Sequence, residues 1–170
     1  VQGDPASAFA LSHETSSVLQ AYGIPRMALI ASTFLARLQL YSGQKQDAAQ
    51  WAAEYQAVRG ATPNEYADLT LARVLLATGE LDPLPGILQP LLEKANEAGR
   101  MQTAIEAMML LGLLHQAKKD TPSALKWLEK SLRLAASEGY IRIFLDEGEP
   151  LLELLPKVRT AAPELVDTLL

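Results

Sequence analysis

Residues 77–99 read ATGELDPLPGILQPLLEKANEAG, and residues 117–139 read AKKDTPSALKWLEKSLRLAASEG. A shift of 40 residues (117 minus 77) pairs Leu84 with Ala124, Ile87 with Trp127 and Leu88 with Leu128. The same shift pairs Leu92 with Leu132, Ala95 with Ala135 and Gly99 with Gly139. Apolar positions that recur at intervals of three and four and end on glycine describe an amphipathic helix. A weaker copy lies earlier at a shift of 36 (79 minus 43), pairing Gly43 with Gly79, Ala48 with Leu84 and Trp51 with Ile87. Periods of this length are too short for a domain and fit a pair of helices. Neither helix of a pair can hide its apolar side alone, and stacked neighbours bury those sides in a running core.

The expected fold is therefore all-α: antiparallel helical hairpins stacked as a right-handed superhelix, with a period near that of tetratricopeptide repeats. Composition agrees. Hydrophobic residues make up 49% of the 170, aromatics only 6%, and most of the apolar content is Leu and Ala, the best apolar helix formers. The formal charge of -5, from 15 basic and 20 acidic residues, gives no electrostatic reason to bind a polyanion. Absence of cysteine excludes disulfides, thiolate nucleophiles and zinc–sulfur sites, and fits a reducing compartment, so the expected location is cytoplasmic. The first residues lack the pattern of a signal peptide. The richest apolar run, AMMLLGLL over 107–114, is too short to cross a bilayer, so no membrane contact is expected. A chain without a starting Met reads as a fragment of a larger protein.

The organisation expected is a helical or irregular lead-in over 1–24, hairpin repeats over 25–158 and a C-terminal helical segment over 159–170. In the lead-in, Ser12-His13-Glu14-Thr15 begins a short helix that Gly23 closes. Pro25 opens the next helix, since its missing N–H needs no partner in a first turn; Leu29, Phe34, Leu38 and Tyr41 make its apolar stripe. Residues 45–59 follow, with Ala48, Trp51, Ala52 and Tyr55 as their stripe. Thr62 reads as an N-cap and Pro63 as the first residue of a helix to Thr78 carrying Tyr66, Leu69, Val74 and Leu76. Residues 81–98 hold Pro83, Pro85 and Pro90. A proline inside a helix costs about 3 kcal/mol, so a late start near Pro85 and a kink or break before Pro90 are expected. Residues 101–116 form the most buried helix. Thr121-Pro122 repeats the cap-then-proline pattern before a helix over 123–138. The stretch YIRIFL over 140–145 alternates in part, but a lone strand would leave its backbone unpaired, so it reads as a short helix. Trp51 and Trp127 are both expected to be buried between helices.

No constellation for catalysis emerges. His13 and His115 are not spaced as metal ligands, and no His-Glu-x-x-His, Gly-x-Ser-x-Gly or phosphate-cradling glycine loop exists. His115 reads as a helix-end residue meeting terminal carbonyls, and Ser131 as a small packing residue. Asp146, Glu147 and Glu149 around Gly148 read as a solvated corner, with Arg142 spaced to pair with Asp146 on a helix face. Lys126, Lys130 and Arg133 read as a solvated face. An all-helical enzyme would need groups such as His115 and Glu106 to converge on a polar cavity. The expectation is a chain that is not an enzyme and carries no cofactor.

Two stretches carry a resemblance. EGYIRIFLDEGEPLLELL over 138–155 resembles the close of the helical repeat domain of the large ATP-dependent LuxR-family transcription regulators, the maltose-regulon-activator type. EYADLTLARVLLATGELDPLPGILQPLLEKANEAGR over 65–100 is similar to the same family in its Leu71-Ala72-Arg73-Val74-Leu75-Leu76 run followed by Gly79. Pro85 and Pro90 depart from the family's second helix. Regulators of this layout have an ATPase module, a helical arm and a helix-turn-helix DNA-binding domain. The resemblance implies that this chain is the arm: a scaffold that binds an effector or partner and has no chemistry of its own. The implied partners are the other domains of the same regulator and a small-molecule effector or peptide, with no direct nucleic acid contact. Tyr66, Arg73, Arg142 and Asp146 are the candidate contact residues. The alternative is a tetratricopeptide-like adaptor unrelated to transcription.

Overall fold

The computed structural model describes residues 5–61, 63–145 and 147–170, leaving aside the side chains of Pro5, Ala6, Ala8 and Gln20. Thr62 and Asp146 lie outside the described residues, and with them the cap and the ion pair expected there. Every regular element described is helical: α1 Pro5–Ala21, α2 Pro25–Tyr41, α3 Lys45–Val58, α4 Glu65–Thr78, α5 Leu84–Glu97, α6 Met101–Ala117 and α7 Thr121–Glu138. Shorter pieces follow: α8 Arg142–Leu145, α9 Glu149–Leu152, a 3-10 segment Leu155–Ala161 and α10 Pro163–Leu169. The chain forms two compact units, one ending at Thr78 and the other starting at Gly79. In the first, α1 packs on α2, α2 on α3, and α4 on both α2 and α3. In the second, α5 packs on α6 and α6 on α7, while the 3-10 segment packs on α7 and receives α9 and α10. This is the helix-hairpin packing of a tetratricopeptide-like fold.

The repeat holds at the level of burial. Leu84, Leu88 and Ala95 are buried, and so are their counterparts Ala124, Leu128 and Ala135. On α3, Ala48 and Ala52 hold the places of Leu84 and Leu88, and Tyr55 that of the buried Leu91. The tryptophans break the symmetry. Trp51 is buried, but Trp127 is only half-buried, with the Lys130 ammonium 4.7 Å above its ring. Leu128, Ser131 and Leu132 already fill the inner side of α7, so the indole is left at the edge, where a lysine stem and charge can cover it.

The stripe expected on α2 is displaced. Its buried residues are Ala28, Thr33 and Ala36. Phe34 and Tyr41, expected inward, are 48% and 49% exposed. Small side chains let neighbouring helices approach closely, and the bulky ones are then turned outward. The second unit shows the same device. On α6, burial runs unbroken from Ala104 to Leu114, and a Cβ on Gly112 would lie 3.2 Å from the Ala124 carbonyl oxygen of α7. Ser131 bridges the same pair, its buried hydroxyl donating to the Ile105 carbonyl at 2.9 Å.

Helix ends differ from expectation by a few residues. α1 begins at Pro5, seven residues (12 minus 5) before Ser12. Pro63 precedes α4 rather than opening it, and the Asn64 side chain accepts from the Ala67 N–H at 3.0 Å. Asp120, not Thr121, caps α7 by accepting from the Ser123 N–H at 3.2 Å. Both amide and carboxylate oxygens are strong cap acceptors. At Gly148, φ 65 and ψ -152 place the backbone where essentially only glycine goes, which fixes the bend between α8 and α9.

α5 runs through Pro90 without a break. The carbonyl that loses its partner belongs to Gly86, four residues earlier, and both residues are exposed. Water can satisfy that carbonyl. The helix therefore survives, at a cost.

α3 and α4 are joined by a polar clamp. Asp68, 8% exposed, accepts from the Tyr55 hydroxyl at 2.9 Å and from Arg59 Nε at 2.6 Å. Burial first, then the bond to this carboxylate, pushes the Tyr55 hydroxyl well above the usual tyrosine range, and the same carboxylate raises Arg59.

Pro90→Ala is expected to restore the lost helix bond and raise stability by about 1–2 kcal/mol. A thermal melt followed by circular dichroism checks this, and an unchanged or lower midpoint would contradict the account of α5. Asp68→Ala strands Arg59 and removes the acceptor of Tyr55, and should cost about 2–3 kcal/mol in urea unfolding. A loss below the error of the measurement would show that the clamp holds nothing together.

Candidate interaction surface

The outward residues of α2 form a feature of their own. Met27, Ile30, Phe34 and Tyr41 fall at helical spacing on one side of the helix and are 37–49% exposed. Leu11 and Leu19 of α1 face them, and Tyr66 of α4 closes the far side. Between these helices lies a groove of about 480 Å³ whose exposed lining is almost entirely apolar. Contiguous exposed apolar surface of this kind marks places where another molecule docks.

Arg37 stands beside the groove, against Tyr66 at its far side. Its guanidinium donates to the Tyr41 hydroxyl from Nη2 at 2.8 Å and from Nε at 3.2 Å. It stands 5.8 Å from the Tyr41 ring centroid and 5.5 Å from that of Tyr66. Both tyrosine rings are thereby held in place by cation–π attraction, which gives a docking partner a shaped rim.

The sequence candidates fall at different places. Tyr66 lines the groove. Arg73, two helical turns along α4, is 6% exposed and donates from Nη1 to the Leu69 carbonyl at 3.3 Å. Arg142 is exposed on α8, in the second unit. Asp146 is outside the described residues. Sequence reasoning missed the groove because it assigned Phe34 and Tyr41 to the core. The signal was present in the alternation of Ala28 and Ala36 with bulky residues, since small positions mark the tight seam.

Chemistry is sparse elsewhere. His115 Nδ1 lies 3.1 Å from Asp120 Oδ2, bridging α6 and the turn before α7; hydrogen bonds from Ser123, and then from His115, hold the Asp120 carboxyl below its usual range. His115 and Glu106 are nine residues apart on α6 (115 minus 106), which puts them on opposite sides of that helix. Among the described residues no group of His, Cys, Asp and Glu is placed to hold a metal ion. Among them, too, no helix is long and apolar enough to cross a membrane.

A family model described as the MalT-like TPR region matches residues 1–161. The chain belongs to that family. Neither the curated proteins nor the solved structures provide a match. Membership in the MalT-like TPR region agrees with the hairpin packing: the chain is a tetratricopeptide-like protein-interaction module.

Proposed function

We propose that this module is the effector- and partner-binding arm of a multidomain transcription regulator, with the groove between α1, α2 and α4 as its docking face. The single observation that carries the reading is the family match over nearly the whole chain. The groove supports it. An arm that relays binding must offer a surface to a partner, and the stripe from Met27 to Tyr41 keeps bulky apolar groups in water at a cost that only an occupant repays. Tyr66 is the direct contact among the four sequence candidates. Arg142 offers an exposed guanidinium to a neighbouring domain, with Asp146 beside it in sequence, and Arg73 acts from within by fixing α4.

The mechanism is geometric. Binding along the groove favours one arrangement of α1, α2 and α4, and any difference in affinity between arrangements becomes a shift in the state of the attached domains. The full reading frame is expected to encode an ATPase module upstream and a helix-turn-helix module downstream. In that regulator, Phe34→Ser together with Tyr66→Ala should lower effector-dependent transcription by about tenfold, the scale of losing an interface hot spot. The helical content should be unchanged. A frame with neither module would replace this reading by that of an adaptor. Unaltered transcription with the double variant would remove the groove from it.

A further inference from the structure

A second depression in the first unit is built on opposite lines. α1, α2 and α3 converge on a cleft of about 310 Å³. Faces of helices that meet in a repeat stack normally carry apolar residues. Here, beside Leu35 of α2 and Trp51 of α3, α1 contributes His13 and Ser16, α2 Ser32 and Gln39, and α3 Asp47 and Gln50.

Ser16 is the telling residue. It lines the cleft and is only 9% exposed, yet its hydroxyl has no hydrogen-bond partner among the described residues. A helical serine usually bonds back to the carbonyl one turn earlier, as Ser17 does to the His13 carbonyl at 3.0 Å. The residue as a whole is nearly enclosed, while its hydroxyl keeps exposed surface for a group entering the cleft.

The floor is aromatic. Trp51 donates from Nε1 to the Ser32 hydroxyl at 3.3 Å and stacks on Tyr55 with centroids 5.4 Å apart. Adjoining the cleft at Trp51 is an apolar section of about 360 Å³ between α2 and α3, lined by Ala28, Leu29, Tyr55 and Val58. Ser32, Trp51 and Glu54 belong to both sections. Asp47 and Glu54 carry the formal charge at the polar end, and no lysine or arginine lines either section. The two carboxylates are seven residues apart on α3 (54 minus 47). That is about 10 Å of helix, the length of about three residues of extended chain.

We propose that this groove binds a peptide segment in which an arginine or lysine stands next to an apolar side chain. The cation lies between Asp47 and Glu54 beside the Trp51 indole. The apolar side chain enters the section between α2 and α3, and Ser16 accepts an N–H of the peptide. The site is distinct from the groove that holds Tyr66 and would serve an adaptor as well as a regulator arm.

Trp51 is its own reporter. The chain has two tryptophans, so Trp127→Phe leaves Trp51 alone. Titrating that variant with the capped tetrapeptide Ala-Leu-Arg-Ala should change the emission saturably. Asp47→Asn combined with Glu54→Gln, both at exposed positions, should weaken binding about tenfold without altering the circular dichroism. Ser16→Ala should weaken it about threefold. The same peptide with Glu for Arg should give no saturation. An equal response to the Glu peptide, an unchanged affinity after double neutralisation, or no saturable change at all would each overturn the proposal. Binding of arginine amide as tight as that of the tetrapeptide would overturn its peptide part.

Discussion

How closely two helices can approach decides most of this structure. At the crossing of α6 and α7 a Cβ on Gly112 would crowd the Ala124 carbonyl oxygen at 3.2 Å. Ala28, Ala36, Ala48, Ala67 and Ala72 do the same work in the first unit and are nearly or fully buried. Close approach multiplies dispersion contacts along the backbones, and it allows a core of Leu and Ala with few aromatics. It also imposes a consequence. Bulky side chains that cannot enter the seam must find space elsewhere, either over a neighbouring helix end or in water.

The apolar groove follows from that consequence. On α2 the seam belongs to Ala28, Thr33 and Ala36, so Met27, Ile30, Phe34 and Tyr41 are turned outward. A sequence under pressure for stability alone would place polar residues there. Retaining four bulky groups, two of them aromatic, stiffens the rim and lowers the entropy lost when a partner binds, because aromatic side chains have few rotamers to give up. Arg37 between two tyrosine rings adds to that stiffness.

The sequence reveals its fold where helix period and burial coincide. Ala48, Trp51, Ala52 and Tyr55 on α3 and Ala124, Leu128 and Ala135 on α7 are buried as their spacing requires. The end glycines mark the turns with equal clarity. Legibility fails where size, not polarity, selects the inner face. Hydrophobic spacing on α2 pointed to Phe34, whereas the seam selected its small neighbours. Pro90 misled for another reason: the cost of a proline depends on whether the orphaned carbonyl meets water, and periodicity carries no information about that. Asp68 was invisible because its partners Tyr55 and Arg59 lie on another helix, and only the packing of α3 on α4 joins them. The sequence identified Tyr66 as a candidate, but its groove needed α1 and α2 in place.

The contrast between the two depressions of the first unit bears on how such a module divides its labour. The groove at Tyr66 is apolar and open, so an occupant there would gain affinity from area. The cleft at Trp51 is lined by hydroxyls, amides and carboxylates that water must leave when an occupant enters. Desolvating those groups is unfavourable unless the occupant returns each hydrogen bond. A partner lacking a donor for Ser16 or a cation for Asp47 and Glu54 is therefore rejected by more than one that merely fits poorly into an apolar groove. The same polar residues give this cleft its power to discriminate.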